Sequence, residues 1–209
     1  MLVQDCMTRN PITIRPESDP VAAIGLLKAG GFRHLPVLDP DGRLVGIVDG
    51  ADLETFLSKA GSPGVMKRNH RVEQVMARDV VSVAPTCPLE EAASLMVQHK
   101  IDSLPVVEDG RLVGIITEID IFKWFAAILG GGTSSLRLTV QLDDKPGQLA
   151  ELAGRIANVN GNITSVVAFS ADKPRRMNFT LRVEGVERER LLEAVSGVDE
   201  LEVLHAWSC

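Results

Sequence analysis

Cysteine is scarce: Cys6, Cys87 and Cys209 are too few and too scattered for a disulfide framework or a paired-cysteine metal knuckle. The four histidines, His34, His70, His99 and His205, show no ligand spacing, so no metal site is expected. Long hydrophobic runs are missing too. The longest apolar tract, IFKWFAAIL at Ile121 to Leu129, is broken by Lys123 and falls far short of the roughly 20 residues that span a bilayer. The opening MLVQDCMTRNP carries Asp5 early and has no continuous apolar signal segment. Positive charge is in deficit, with 22 Lys and Arg against 28 Asp and Glu and a net charge of -6, which removes the general electrostatic ground for binding phosphate backbones or anionic lipid. A soluble cytoplasmic protein with reduced thiols is expected, with no nucleic-acid or membrane partner.

Catalytic signatures are equally lacking. There is no GxSxG, HExxH, phosphate-binding P-loop or Cys/His arrangement, and Asp143 and Asp144 lie side by side in a turn rather than across a cleft. Neither an enzyme nor a catalytic cofactor is expected.

What is present is enough apolar material for packed cores, 45% of the chain, and a length of 209 residues that accommodates two modest domains. The heptapeptide DGRLVGI occurs twice, at Asp41 to Ile47 and at Asp109 to Ile115. Around it, residues 3 to 57 align with residues 72 to 125 with one gap at Pro40. Matching pairs include Val3/Val72, Met7/Met76, Arg9/Arg78, Pro16/Pro85, the tripeptide LPV at 35 and 104, and Asp52/Asp120. Two copies of one supersecondary unit follow.

In the second copy VVSVAP reads as a short strand, Pro88 opens the helical stretch LEEAASLMVQHK, and LPVVE reads as a buried strand. Asp109 and Gly110 supply the turn of a tight hairpin, RLVGIIT returns, and EIDIFKWFAAIL closes as a helix. The order is βαββα. A unit of this size leaves an apolar face uncovered, so the two copies are expected to pack as a pseudo-twofold pair with two related clefts.

After Leu129 the texture changes. GGGTSS at 130 to 135 has the composition of a helix stop and flexible linker. The alternation LRLTVQL then starts a new domain, with DDKPG as a turn and QLAELAGRIANVN as a helix carrying Leu149, Leu152, Ala153 and Ile156 at helical spacing. The strand ITSVVAF, the strand MNFTLRV, the helix ERERLLEAV and the strand LEVLHAW complete a ferredoxin-like βαββαβ order. The fold class is α+β. The expected divisions are 1–60 and 72–129 for the two motifs, 61–71 and 130–135 for linkers, and 136–209 for the last domain.

The doubled pattern of a Met near the start, the LPV strand, the DGRLVGI hairpin and the terminal Asp resembles a tandem CBS domain pair, or Bateman module. The last domain, with DKPG at Asp144 to Gly147, the helix QLAELA and GNI at Gly161 to Ile163, resembles an ACT domain. Two CBS copies followed by one ACT domain resemble the acetoin utilization protein family. The resemblance implies a regulatory protein that binds AMP, ADP, ATP or S-adenosylmethionine in the CBS clefts and an amino acid or small metabolite at an ACT dimer interface. It also implies a homodimer acting on an unidentified regulated protein.

Carried over by position, the second CBS site comprises Ser82, Val83, Ser103, Leu104, Pro105, Thr117 and Asp120. The first comprises Thr13, Ile14, His34, Leu35, Pro36 and Asp52, and the ACT ligand set is Asp144, Gly147, Gln148, Asn162 and Ile163. Thr117 and Asp120 equally fit a helix capping box, and the two roles are compatible. Pro146 and Gly147 equally fit plain turn chemistry, and Asn162 a left-handed turn residue. The first copy departs from the pattern, because Asp49 stands where the second has Thr117. A carboxylate there repels phosphate, so unequal clefts are expected, the first empty or taking a neutral or cationic ligand. The basic stretch KRNHR at Lys67 to Arg71 reads as a solvated linker or as a phosphate clamp.

Overall fold

Asp19 and Pro20 start the first helix of the first repeat, whereas in the second repeat Pro88 takes the cap position without a side-chain cap. In a computed structural model that describes residues 1–59, 70–132 and 134–208, Asp19 accepts a hydrogen bond from the Val21 amide at 2.9 Å. Pro20, with its fixed φ and no N–H to satisfy, occupies the first turn of helix α1 (Pro20–Gly30). Gly31, at φ 66°, ends the helix in the left-handed conformation. Strands β2 (His34–Leu38) and β3 (Leu44–Asp49) form a hairpin, and α2 (Gly50–Lys59) follows. The second repeat gives α3 (Leu89–His99), β4 (Ser103–Glu108), β5 (Arg111–Thr117) and α4 (Glu118–Ile128). The chain divides into two compact units, residues 1–122 and residues 123 onward.

The identical heptapeptides make different turns. Asp109 and Gly110 have φ of 48° and 76°, the positive pair required by a two-residue hairpin. In the first copy Pro40 lengthens the loop, and only Gly42, at φ 81°, is positive. There Asp39 organises the turn: its Oδ1 accepts from the amides of Asp41 at 3.0 Å and Arg43 at 2.8 Å.

The repeats do not fold as contiguous segments. The leader of each crosses to the other. Strand β1 (Thr8–Arg9) pairs antiparallel with β5, Thr8 opposite Ile115, while Ala77 pairs with Ile47. The 3₁₀ turn Val3–Asp5 docks on the second repeat through Val3 N to Cys87 O and Gln4 N to Pro85 O. Its counterpart Val72–Gln74 docks on the first through Val72 N to Ser18 O and Glu73 N to Pro16 O. Val72 and Met76 accordingly sit in the core of the first repeat with Ala23, Leu27, Leu35, Val37 and Leu53. Glycine in DGRLVGI is explained by this exchange. A β-carbon on Gly46 would come within 2.6 Å of Met76 Sδ, and one on Gly114 within 2.5 Å of Met7 Sδ.

The exchange also corrects one expected strand. VVSVAP contributes only a single parallel bridge, Val83 to Val106, matched by Ile14 to Val37 in the first copy. Pro85 and Pro16 have no amide to extend the ladder, and their carbonyls are taken by the crossing leaders. Of the basic stretch, Lys67 to Asn69 lie outside the described residues, as does Cys209. Arg71 pairs with Glu73 at 3.3 Å, and His70 meets Phe56 edge-on at 5.2 Å.

The second unit contains β6 (Leu136–Asp143), α5 (Gln148–Asn158), β7 (Asn162–Ser170), β8 (Arg176–Glu184), α6 (Arg188–Val195) and β9 (Glu202–Ser208). The antiparallel sheet runs β7-β8-β6-β9, the order of a ferredoxin-like fold. Leu138, Val140 and Leu142 alternate inward against Leu152, Ile156, Leu191 and Val195. Two details differ from the sequence pattern. Leu149 is 41% exposed and Gln148 is the buried residue at the start of α5, while the left-handed turn residue is Asn160 at φ 63°, with Asn162 already in β7. The helix stop at the glycines is present: Gly130, at φ 68°, and Gly131 donate to the carbonyls of Ala127 and Ala126.

Candidate functional site: a cleft shared by the two repeats

Arg33 and Asp102 occupy equivalent positions in the aligned repeats and pair with each other, Nη2 to Oδ2 at 3.2 Å. Arg33 also reaches Glu118 at 3.0 Å, and His34 Nε2 lies 2.8 Å from Asp102 Oδ1. The hydrogen bond to Glu118, followed by the Asp102 charge, raises the Arg33 pKa further above its ordinary value. The local backbone is held in the same way in both repeats, Gly50 N donating to Arg33 O and Glu118 N to Asp102 O.

Beside this network is a cleft of about 250 Å³. Its walls come from both repeats because the second leader crosses over. Ile47, Val80, Val81 and Ile101 supply apolar surface. Asp49, Asp52, Asp79 and Asp102 supply carboxylates, faced by Lys100 and His34. A neighbouring pocket of about 440 Å³ shares His34, Asp49 and Asp102 with the cleft, and adds Lys28 and Arg33 above Ile24, Leu27 and Phe32. Among the described residues, no group of three or more His, Cys, Asp or Glu side chains is arranged to hold a metal ion.

Members of the two predicted CBS sets line this cleft together. His34 and Asp52 of the first face Ser103 and Pro105 of the second across this one cleft. Leu35 and Leu104, each 0% exposed, are core residues instead, as are Ile14 and Val83 at 8% and 7%. Thr13, Pro36 and Ser82 are not among the residues lining the cleft. Asp79, Lys100 and Asp102 were missed by the sequence reading. For Asp79 the signal was the Met7/Met76 match, which marks the leaders that pass over Gly46 and Gly114; Lys100 and Asp102 lie between α3 and β4 and carried no such signal.

Thr117 and Asp120 form a complete capping box. Asp120 Oδ2 accepts from Thr117 N at 3.0 Å and from Thr117 Oγ1 at 2.7 Å, and Asp120 N donates to Thr117 Oγ1 at 3.3 Å. The Asp49 carboxylate substitutes for half of this arrangement, its Oδ1 accepting from Asp52 N at 2.6 Å. Asp120 stands near the first leader: burial, then the Asp5 and Asp120 charges, push the Cys6 thiol pKa up.

In the second unit Gly147, at φ 95°, caps α5, and Gln148 is 8% exposed with its Oε1 buried and without a partner among the described residues. The ion pairs of the turn belong to Asp143, which meets Arg176 at 2.9 Å and Lys145 at 3.2 Å; these contacts hold its carboxyl below the usual range. Asp144 contributes its amide, donated to Arg175 O at 2.8 Å. Asn162 and Ile163 are elsewhere. They pair with Glu184 and Val183 at one end of β8, while Asp143 pairs with Arg176 at the other. Within one chain the five predicted ACT residues do not converge, being separated by the length of α5, about 16 Å at 1.5 Å per residue.

A family model for the CBS domain matches residues 3–59 and 72–127. The chain belongs to the CBS domain family. Residues 131–205 match a TTHA0829-like ACT domain. Among curated relatives, a CBS domain-containing protein of Dictyostelium discoideum is 32% identical over 62% of this chain and 94% of its own length. The L-aspartate semialdehyde sulfurtransferase of Methanocaldococcus jannaschii is 31% identical over 59% of this chain, which spans only 23% of that enzyme. The uncharacterized protein MJ1225 of the same organism is 35% identical over 60% of this chain and 47% of its own length. Among solved structures, the CBS pair of MJ0100 with 5-methylthioadenosine and S-adenosyl-L-methionine is 30% identical, with a TM-score of 0.54 over 61% of this chain and 97% of that one. CBSX2 with AMP is 29% identical, with the same TM-score and coverage. The Vibrio cholerae protein assigned to acetoin utilization (AcuB) is 36% identical, TM-score 0.56, over 62% of this chain and 93% of that one. No helix among the described residues is long and apolar enough to cross a membrane.

Proposed function

We propose that this protein is a cytoplasmic regulatory sensor rather than an enzyme. An adenosine-type ligand of the AMP, ADP, ATP or S-adenosylmethionine class binds in the CBS pair, and an amino acid or small metabolite binds the ACT domain. The observation that carries the reading is the cleft built jointly by both repeats, with apolar walls and charged groups at the start of α2. Structures of similar CBS pairs hold 5-methylthioadenosine, S-adenosyl-L-methionine and AMP, which supports the ligand class. A ligand bridging the two repeats and preferring one arrangement of them shifts that equilibrium, which is what regulation of a partner protein requires. The similarity to the AcuB protein supports a connection to acetoin utilization.

The ACT reading requires a homodimer. Gly147 and Gln148 lie at the opposite end of the domain from Asn162 and Ile163, so they form one site only when a second copy brings its β7 start to the first copy's α5. The buried Gln148 Oε1 and the open amide end of α5 support a polar ligand there.

A dimerisation scaffold without ligands is the second reading, favoured by Val97 at 79% and Phe122 at 65% exposure on α3 and α4. A thermal-shift panel of AMP, ADP, ATP, S-adenosylmethionine and the common amino acids separates the two. A ligand at 100 times its Kd stabilises the folded state by about 2.7 kcal/mol. A panel with no shift at all refutes the sensor and leaves the scaffold.

A further inference from the structure

We infer that the outer helical face of the two repeats is an interface with a second copy of this chain, and that the copies dock like on like, first repeat on first and second on second. The inference deepens the homodimer of the ACT reading by giving it a surface and an orientation.

Helix α1, PVAAIGLLKAG, carries a single charge, Lys28, yet only Pro20, Ala23 and Leu27 are buried within the chain. A helix that is apolar all round is ordinarily buried all round. The exposed residues Val21, Ala22, Gly25, Leu26 and Ala29 form one stripe at helical spacing. Nothing within the chain calls for Gly25: a β-carbon there would meet no atom within 4 Å among the described residues, and its φ is not positive. Glycine weakens a helix relative to alanine. A second helix laid along the stripe uses the space that the missing side chain leaves.

The second repeat has the opposite distribution at equivalent positions. Val21, Ala22, Gly25 and Ala29 correspond to Glu90, Glu91, Ser94 and Gln98 on α3. Lys28 and Glu54, which pair at 3.2 Å between α1 and α2, correspond to Val97 and Phe122, at 79% and 65% exposure. Ile119, exposed one helical turn before Phe122, adds to the apolar surface.

These inverted faces decide the orientation. Unlike repeats in contact would set Glu90 and Glu91 against the apolar stripe, and Val97 and Phe122 against the Lys28–Glu54 pair, burying charge without compensation. Like on like, stripe meets stripe and Val97 and Phe122 meet their own copies. Two Lys28–Glu54 pairs then face each other as alternating charges. A twofold axis closes such a contact. The pocket between α1 and α2 is lined by Lys28 and Glu54, so the second copy's first repeat forms its outer wall, beside the ligand cleft with which it shares His34, Asp49 and Asp102.

The test uses the full chain. Sedimentation equilibrium is expected to give a dimer, and a monomer overturns both this inference and the ACT reading. Lys28→Cys and Val97→Cys are then made singly and together in a chain carrying Cys6→Ser, Cys87→Ser and Cys209→Ser, and treated with a short bis-maleimide. Each single variant is expected to yield cross-linked dimer. Links between chains that form only in the double variant would place unlike repeats together and overturn the inference. A dimer with no such link in any variant overturns it as well, and leaves the ACT reading intact. Phe122→Glu is expected to reduce the Val97→Cys link by at least about tenfold and Phe122→Leu to retain it; an undiminished link in Phe122→Glu counts against the surface. Should the serine chain lose its folded circular dichroism spectrum, the same links are identified by peptide mass spectrometry in chains that keep the native cysteines.

Discussion

Met76 Sδ packs against Gly46, so closely that any β-carbon there would approach it to 2.6 Å and the Ala77 carbonyl to 3.0 Å. This contact joins the leader of one repeat to the return strand of the other, and Met7 with Gly114 repeats it. Gly46→Ala is expected to destabilise the protein by about 1 to 3 kcal/mol through overpacking. Urea unfolding measures it. The combined Gly46→Ala/Met76→Ala variant is expected to lose less than the sum of the single changes, and strict additivity would show that the contact is not the cause.

Arg33 and Asp102 are partly exposed, at 54% and 37% of their side-chain surface, so their pair is worth about 1 kcal/mol or less. Arg33→Asp sets like charges against Asp102 and Glu118 and is expected to lower the melting temperature. The exchange Arg33→Asp/Asp102→Arg recovers part of the loss, because the two sites are equivalent by the internal symmetry. No recovery in a thermal melt would mean that His34 and Glu118 fix the polarity of the pair.

Thr117 satisfies the first turn of α4. Thr117→Ala is expected to cost about 1 kcal/mol, and Thr117→Ser much less, since the serine hydroxyl retains the cap. Equal losses in chemical unfolding would assign the effect to the lost methyl group.

Asp143 gives a pH dependence of known sign. Arg176 and then Lys145 lower its pKa, so the unfolded chain takes up the proton at a higher pH than the folded one. The contribution is complete above the ordinary carboxyl value of about 4 and disappears as pH falls through the lower folded value. Asp143→Asn is therefore expected to be less stable than the unmodified protein near pH 7 and to converge with it in acid. Parallel melts from pH 7 down to about pH 2 check this, and a gap that persists in acid would exclude the charge as its source.

The repeat was legible because DGRLVGI, LPV and the flanking Met and Asp recur at matched offsets, and local chemistry then placed every helix and hairpin close to where it lies. The alternation of Leu138, Val140 and Leu142 likewise identified β6 and its buried face. Local reading failed where the chain crosses. VVSVAP has the composition of a strand, yet Pro85 and the passing leader reduce it to a bridge. Leu35 and Leu104 were expected at the ligand and are core, because alternate residues of a strand face opposite sides and only the tertiary packing decides which side is the cleft.

The sequence by itself determined that there are two βαββα copies and one βαββαβ domain, since periodicity, turn residues and repetition act over a few neighbouring positions. It also determined that the copies differ at Asp49 and Thr117. The tertiary structure decided which residues meet. Asp79 joins His34 and Asp52 because the second leader crosses to the first repeat, Lys100 because the adjoining Asp102 pairs with Arg33 and His34, and Gly147 parts from Asn162 because the length of α5 lies between them. Such meetings depend on long-range hydrogen bonds and packing between segments far apart in the chain, which no local pattern encodes.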